Sequence, residues 1–177
     1  MADFEGNTTF NQKKLSQRIN LKELLGREPS DVEKANFVSE ALSRIESRTL
    51  DGNDVSGKKF TKYSKEYADK KGVTRNSVDM FLTGGMLESL RPLKETKNTV
   101  TFGIEGGDES KRGYNHQVGD TLPQRAWFGI NKDEAQNIAE LIRDEQERIT
   151  LESLAPDELI DLSDAGAVRR FLDELLL

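Results

Sequence analysis

Apolar residues recur at helical spacing in two long stretches of the chain. Over residues 31–48 they stand three or four positions apart, which predicts a helix with one buried face, and Ser30 followed by Glu33 is a helix start signal. The second stretch begins at Asn131, three residues before Glu134, a pattern typical of a capping box. The expected buried positions are Val32, Ala35, Val38, Ala41, Leu42, Ile45, Ala135, Ile138, Ala139 and Ile142.

Shorter apolar groups flank the first of these helices. The leucine and isoleucine residues between Leu15 and Leu25 predict a short helix that ends at Gly26. Residues 51–60 (DGNDVSGKKF) are rich in turn formers and predict a loop. Residues 63–71 can then form one or two helical turns.

The middle of the chain changes character, because eight of the fourteen glycines fall between Gly84 and Gly129. Residues 98–104 alternate apolar and small or polar side chains, which predicts a strand, with residues 89–95 as its antiparallel partner. Residues 105–114 are too polar for a core and predict an exposed loop. The short apolar run at residues 127–130 is interpreted as a third strand or a docking segment.

Together these elements predict an α+β fold. N-terminal helices and a long C-terminal helix are expected to pack on a small antiparallel β-sheet, with extended terminal arms. Residues 1–9 are small and polar and predict a flexible N-terminal arm, residues 10–155 form the α+β domain, and residues 156–177 form an acidic amphipathic extension.

Composition narrows the class of protein. The 177 residues are 34% hydrophobic and 33% charged, so a thin core is expected, with some apolar surface buried against other subunits. No stretch has the length or hydrophobicity of a membrane helix or a signal-peptide core, and a soluble cytoplasmic product without membrane contact is expected. The chain has no Cys and one His, His116, which argues against thiolate and His-pair metal sites.

The residue spacings of this sequence do not match known motifs for catalysis or cofactor binding. The acidic loop from Asp51 lacks the Gly and the Glu of a calcium-binding EF-hand, and the glycines form no phosphate-binding pattern. His116 has no nucleophile elbow beside it, so a structural His that holds its loop by hydrogen bonds is favoured over a catalytic base. The prediction is therefore a protein that is not an enzyme and that uses no cofactor.

One basic segment stands out on a chain whose net charge is −6. Residues 58–75 carry seven basic and two acidic side chains, with Phe60, Tyr63 and Tyr67 interleaved. Three interpretations remain open: a solvated helix face, a contact with nucleic-acid phosphates, or a contact with the acidic extension of a neighbouring copy. The candidate DNA-contacting residues are Lys58, Lys62, Lys65, Lys70 and Lys71.

Two regions are candidates for contact with other subunits. Residues 156–177 have a net charge of −4 and regularly spaced apolar side chains, so the segment docks either on another chain or on its own domain. In residues 121–129, Arg125 beside Trp127 and Phe128 has the composition of an interface hot spot or of a core edge. The candidate contact residues are His116, Arg125, Trp127, Phe128, Phe171, Leu172 and Leu175.

Four blocks of the sequence resemble a known family. Residues 48–72 contain RTLDGNDVSGKKF, YSKEY and KG, similar to an opening common in tailed-phage neck and tail-completion proteins. Residues 82–90 (LTGGMLESL) resemble a segment of the Mu-like phage virion morphogenesis family. Residues 114–119 (YNHQVG) and 122–129 (LPQRAWFG) resemble later elements of that family, in the same order.

The resemblance implies a structural role in a virion. It implies a neck or tail-completion subunit that forms a homo-oligomeric ring at the head-tail junction around the DNA channel. The implied neighbours are the portal or adaptor and the tail terminator or other neck proteins, with non-specific contact to genome DNA. In that setting His116 and Arg125 would hold the connecting loops of the sheet or the subunit contact. The alternative is a DNA-binding accessory protein that uses residues 58–75.

Overall fold

The computed structural model describes residues 8–80, 85–119 and 122–154 and has the predicted α+β class. Within these residues, one antiparallel sheet is formed by β1 (Thr8–Asn11), β2 (Lys14–Asn20), β3 (Arg91–Glu95) and β4 (Thr99–Glu105). The helices are α1 (Leu21–Leu25), α2 (Asp31–Leu50), α3 (Lys65–Lys71), α4 (Gly85–Glu88), α5 (Gly107–Val118) and α6 (Lys132–Leu154). The long C-terminal helix is confirmed.

The sheet has the strand order β1-β2-β4-β3, so β4 is interior and β3 is its predicted partner. Val100, Phe102 and Ile104 of β4 are at most 1% exposed, which confirms the predicted buried face. Gly103 lies between them and pairs with Ser16 of β2. A Cβ atom there would lie 1.9 Å from the carbonyl oxygen of Leu15, so close pairing of the two central strands requires glycine.

Helix α2 begins as predicted. The Ser30 hydroxyl accepts a hydrogen bond from the Glu33 amide, and the Glu33 carboxylate accepts one from the Ser30 amide. Arg27 also pairs with Glu33 and, with the Ser30 contacts, holds the pKa of this buried carboxyl at about 2. The apolar face is formed by Phe37, Val38, Ala41 and Ile45, whereas Val32 and Ala35 are exposed because Glu33 and Lys34 occupy the buried side of the first turn.

The predicted helix over residues 15–25 is wrong in its first part. That part is strand β2, and only residues after Asn20 form the short helix α1, which ends at Gly26 as expected. Leu15, Ser16 and Gln17 are consecutive and all buried, because both faces of β2 are covered. The alternation that normally reveals a strand is therefore missing.

The predicted exposed loop at residues 105–114 is also wrong, because most of it belongs to helix α5. The fully buried positions of α5 are Ser110, Gly113 and Gln117, and Tyr114 is the large side chain of the helix that packs partly buried against the core. At Gly113 a Cβ atom would lie 3.0 Å from the Trp127 ring, which shows how closely the helix approaches that ring. Because Ser110, Gly113 and Gln117 are not large apolar residues, the sequence lacks the periodic apolar pattern that predicts a helix.

The run at residues 127–130 is buried without forming a strand. Instead, the side chain of Gln17 accepts a hydrogen bond from the Ile130 amide at 2.8 Å and donates one to the Ile130 carbonyl at 2.9 Å. The Trp127 indole donates to the Gly113 carbonyl. Helix α6 then starts with the predicted reciprocal bonds between Asn131 and Glu134.

Backbone contacts divide the chain into two units, residues 1–142 and 143–177. In the described part of the second unit, Arg148 pairs with Glu145 and Glu152. Thr8 and Thr9, assigned to the arm from sequence, begin strand β1, while the rest of the arm and the acidic extension lie outside the described residues. None of the described helices combines the length and hydrophobicity needed to cross a bilayer.

Candidate subunit-contact site

Trp127 and Phe128 lie in the core of the unit formed by residues 1–142. Their exposed fractions are 0% and 2%, and their rings contact each other edge to face with centroids 5.7 Å apart. The structure therefore favours the core-edge alternative for these two side chains over the subunit contact predicted from sequence. Phe171, Leu172 and Leu175, the other apolar contact candidates, lie outside the described residues.

Arg125 joins three segments of this unit. Its backbone amide donates to the His116 carbonyl at 2.7 Å, and its Nη2 donates to the Thr61 carbonyl at 3.2 Å. Its guanidinium lies over the Tyr63 ring, 5.3 Å from the centroid. The side chain is also in contact with the His116 Nδ1 through Nη1, at 3.3 Å. Arg125 thus fixes the loop before Trp127 against helix α5 and the segment that precedes α3.

The charge of Arg125 is not compensated by a carboxylate among the described residues, although the residue is only 4% exposed. Its Nε is buried and has no hydrogen-bond partner in the described part of the chain. Burial lowers the pKa of the guanidinium, with Tyr63 and Tyr67 acting in the opposite direction. A buried cation normally has an anionic partner, because desolvation of an unpaired charge is strongly unfavourable.

His116 lies on α5 rather than in the predicted loop. Burial, and then the nearby charge of Arg125, lowers its pKa to about 4, so the ring is neutral at pH 7. Because Arg125 can only donate, the His116 Nδ1 accepts and the ring proton lies on Nε2. The hydrogen-bonding role predicted for His116 is present, with the Arg125 guanidinium and backbone as its partners.

These two residues border a cavity of about 500 Å³, which we call the aromatic cavity. Its apolar lining is formed by Tyr63, Tyr67, Met80, Met86, Leu122 and Pro123. Tyr67 and Leu122 are large side chains that remain 37% and 41% exposed at its edge. Such a concave, mostly apolar surface with a few polar groups is typical of a binding site.

A second charged pair lines the aromatic cavity. Arg112 donates to the Oε1 atom of Glu109 at 2.9 Å. The other carboxylate oxygen of Glu109, Oε2, is buried and has no hydrogen-bond partner among the residues that the structure describes. Arg125 and Glu109, which both line the cavity, thus each have one buried polar atom without a hydrogen-bond partner among the described residues.

The basic segment divides into two groups of side chains. Lys71 pairs with Asp79 and with the Tyr63 hydroxyl, and these contacts raise its pKa against the opposing effect of burial. Lys71 is thus a structural residue of the protomer. The exposed lysines without an ion pair or side-chain hydrogen bond in the described part of the chain are Lys58, Lys62, Lys65 and Lys70.

Arg48 is a second buried arginine, which the sequence analysis did not single out. Its Nη1 donates to Glu134 at 2.5 Å, and its Nη2 donates to the carbonyls of Trp127 and Gly129 at 3.1 and 2.6 Å. It connects the end of α2 to the start of α6. Its position as the first residue of the first family-like block is the one sequence signal that could have marked it.

Among the described residues, no group of three or more His, Asp or Glu side chains is placed to hold a metal ion. Compared with protein-family models, curated proteins and solved structures, the chain matches none of them.

Proposed function

We propose that this chain is a structural, non-catalytic virion protein of a tailed bacteriophage. It is a neck or tail-completion subunit that is made in the host bacterial cytoplasm and forms a ring around the DNA channel at the head-tail junction. Its neighbours there are the portal or adaptor on one side and the tail terminator or another neck protein on the other.

The proposal is supported by the way three of the four family-like blocks contact one another. Arg48 of the first block binds the carbonyls of Trp127 and Gly129 in the last block. The Val55 amide donates to the Ala126 carbonyl at 2.8 Å. The third block joins them, because the Phe128 amide donates to the Gln117 side chain at 3.0 Å. Residues that resemble the family in sequence thus form one connected scaffold, as expected when the resemblance reflects a shared protomer fold.

A phage that lacks this protein tests the proposal. The expected result is DNA-filled heads and separate tails in electron micrographs, with joined particles restored when the wild-type gene is supplied on a plasmid. A matched control supplies the Arg18→Ala variant, whose exposed side chain has no hydrogen bond or ion pair among the described residues. Normal joined virions without the protein would contradict the proposal.

The second candidate function is a DNA-binding accessory protein, favoured by the unpaired exposed lysines around α3. Binding of the purified protein to a labelled duplex would then weaken steeply as salt rises, because phosphate contacts release counterions. The Lys62→Gln/Lys65→Gln/Lys70→Gln variant should lose that binding, whereas Lys22→Gln, on the short helix α1, should not. Absence of binding at low salt would reject the DNA-binding function and leave the structural role as the remaining proposal.

A further inference from the structure

We propose that the aromatic cavity binds a carboxylate-bearing, leucine-rich segment, and that its occupant is residues 156–177 of a second copy of this chain. The inference rests on the proposed function only in requiring self-association. It adds the chemistry of one contact: the segment that inserts, the cavity that receives it and the charge that is neutralised.

Arg125 has a buried charge without a carboxylate partner among the described residues. Arg125 is 4% exposed and lines the cavity, and among the described residues its polar and ring contacts are with the Thr61 and Pro123 carbonyls, the His116 ring nitrogen and the Tyr63 ring. All of these partners are uncharged, since His116 is neutral at pH 7. A carboxylate that entered the cavity would provide the missing counter-charge, and an arginine fork binds carboxylates in two-point geometry.

The unused acceptor on Glu109 points to a peptide rather than to a simple anion. Glu109 Oε2 is buried without a partner beside the same cavity, so the ligand should supply a hydrogen-bond donor as well as a negative charge. A carboxylate ion alone has no donor. A peptide segment has both, because its backbone amides donate while its acidic side chains accept.

The lining selects an apolar segment that also carries acid groups. Tyr67 and Leu122 leave large apolar surface exposed at the edge of the cavity, and the sulfur-containing side chains of Met80 and Met86 adapt to irregular ligands. Residues 156–177 contain such a combination, since Asp173 and Glu174 stand between Leu172 and Leu175. One face of the segment can fill the cavity while a carboxylate reaches Arg125.

The stretch beside the cavity has a small positive charge, because its exposed Lys62, Lys65 and Lys70 outnumber its exposed acids, Glu66 and Asp69. Ser64 and Tyr67 line the cavity, and the exposed Lys65 belongs to the same stretch, with Lys62 just before it and Lys70 at the end of α3. None of these three ammonium groups has an ion pair among the described residues. The extension has a net charge of −4, so long-range attraction favours its approach to this surface.

The test uses the full-length protein and two charge-reversed variants. One variant is Lys62→Glu/Lys65→Glu, which changes the cavity side, and the other is Asp173→Lys/Glu174→Lys, which changes the extension. Association is measured by light scattering over a dilution series, with circular dichroism to verify folding. Each variant alone should associate at least ~10-fold more weakly than wild type, and an equimolar mixture should regain most of the association.

The mixture decides between contact partners. Recovery in the mixture requires one copy's extension on the other copy's surface, because neither variant contains both complementary charges. If the mixture remains dissociated, if each variant assembles like wild type, or if wild type itself is monomeric at all concentrations, the contact is overturned. Variants that assemble normally while the phage still needs the protein would reject the contact and leave the proposed function. If the mixture regains association but phage without the protein still forms normal virions, the contact is supported and the proposed function is rejected.

Two single variants test the carboxylate partner of Arg125. Arg125→Gln should weaken association ~10-fold or more while the circular dichroism spectrum remains that of wild type. Asp120→Asn is the matched control, because Asp120 is an acid of the same chain that lies close in sequence and outside the described residues. Asp120→Asn should leave association unchanged, and a loss equal to that of Arg125→Gln would assign the carboxylate to the chain's own loop and overturn the inference.

Discussion

Two buried arginines in residues 1–142 have opposite surroundings. Arg48 has an exposed side-chain fraction of 11% and binds the Glu134 carboxylate together with two backbone carbonyls. Arg125 is 4% exposed and has no carboxylate partner in the described part of the chain. Both residues belong to family-like blocks, but among the described residues only Arg48 has a carboxylate partner.

Arg48 holds the fold through an ion pair with a carboxylate, whereas Arg125 does so only through contacts with uncharged groups among the described residues. Breaking a compensated pair leaves a carboxylate without its cation, whereas replacing an uncompensated cation by an apolar side chain of similar size removes an unfavourable burial. The free energy of unfolding should therefore respond strongly to changes at Arg48 and weakly to changes at Arg125. Self-association should respond in the reverse order.

The largest expected effect is that of Arg48→Met. It removes the ion pair with Glu134 and the bonds to two carbonyls, so it should lower the free energy of unfolding by about 3 kcal/mol. Urea denaturation measures this, with Arg18→Ala, an exposed arginine on β2, as control. A loss below ~1 kcal/mol would show that Arg48 does not hold α2 to α6.

The next effect is a pH dependence that arises at His116. The folded state holds its pKa at about 4, below the ordinary 6.5, so the unfolded chain binds the proton first as pH falls. The stability contributed by the neutral ring is complete above pH 6.5 and should decline by about 3 kcal/mol as pH falls toward 4.

His116→Asn isolates this effect, because an amide oxygen can still accept from Arg125 but does not titrate. Thermal denaturation between pH 7.5 and 4.5 should show a flatter profile for the variant than for wild type. The pKa of Glu33 is also lowered, to about 2, but its contribution declines below its ordinary value of 4.5, at more acidic pH. Parallel profiles would mean that His116 is not held neutral by its surroundings.

Sequence reasoning predicted the parts of the fold that carry local signals. The capping boxes at Ser30 and Asn131 and the apolar alternation of β4 are visible because the residues that make the contact are close in the chain. Strand β2 and helix α5 were missed because their buried faces depend on distant partners. In β2 the polar Gln17 is buried against Ile130, and in α5 the small Gly113 is buried against Trp127.

The candidate site was predicted in part for a similar reason. Residue types drew attention to Arg125, Trp127 and His116. An arginine beside aromatic residues occurs both at interfaces and at core edges, so residue types alone do not distinguish the two. Trp127 is in the core, and Arg125 lines the aromatic cavity. Nothing in the local sequence distinguishes Lys71, which pairs with Asp79, from the neighbouring Lys70, which is exposed. The distinction arises only when the segment after α3 folds back.

A smaller effect is expected for Arg125→Met. The long apolar side chain keeps most of the volume and removes a buried charge that has no carboxylate partner among the described residues. This gain offsets the lost bonds to the Thr61 carbonyl and the His116 ring, so the free energy of unfolding should stay within ~1 kcal/mol of wild type. Denaturation at a concentration where the protein is monomeric measures this. A loss as large as that of Arg48→Met would mean that the two arginines have the same role.

The smallest effect on stability is expected for the Lys58→Gln/Lys62→Gln/Lys65→Gln variant. These side chains are exposed, and surface changes of this kind leave the free energy of unfolding within ~1 kcal/mol. Particle assembly or genome retention should nevertheless be impaired, measured by infectivity and by the DNA content of purified particles. If the variant has wild-type infectivity, these lysines have no role in assembly or genome retention and form only a solvent-exposed face.

The central claim is that the charge of Arg125 is neutralised by another copy of the chain, and a cryo-EM map of the assembled protein tests it most directly. The expected map shows density for residues 156–177 of a neighbouring copy in the aromatic cavity, with a carboxylate within hydrogen-bond distance of the Arg125 guanidinium. An assembly in which the cavity is empty, or in which Arg125 pairs with an acid of its own chain, would contradict it.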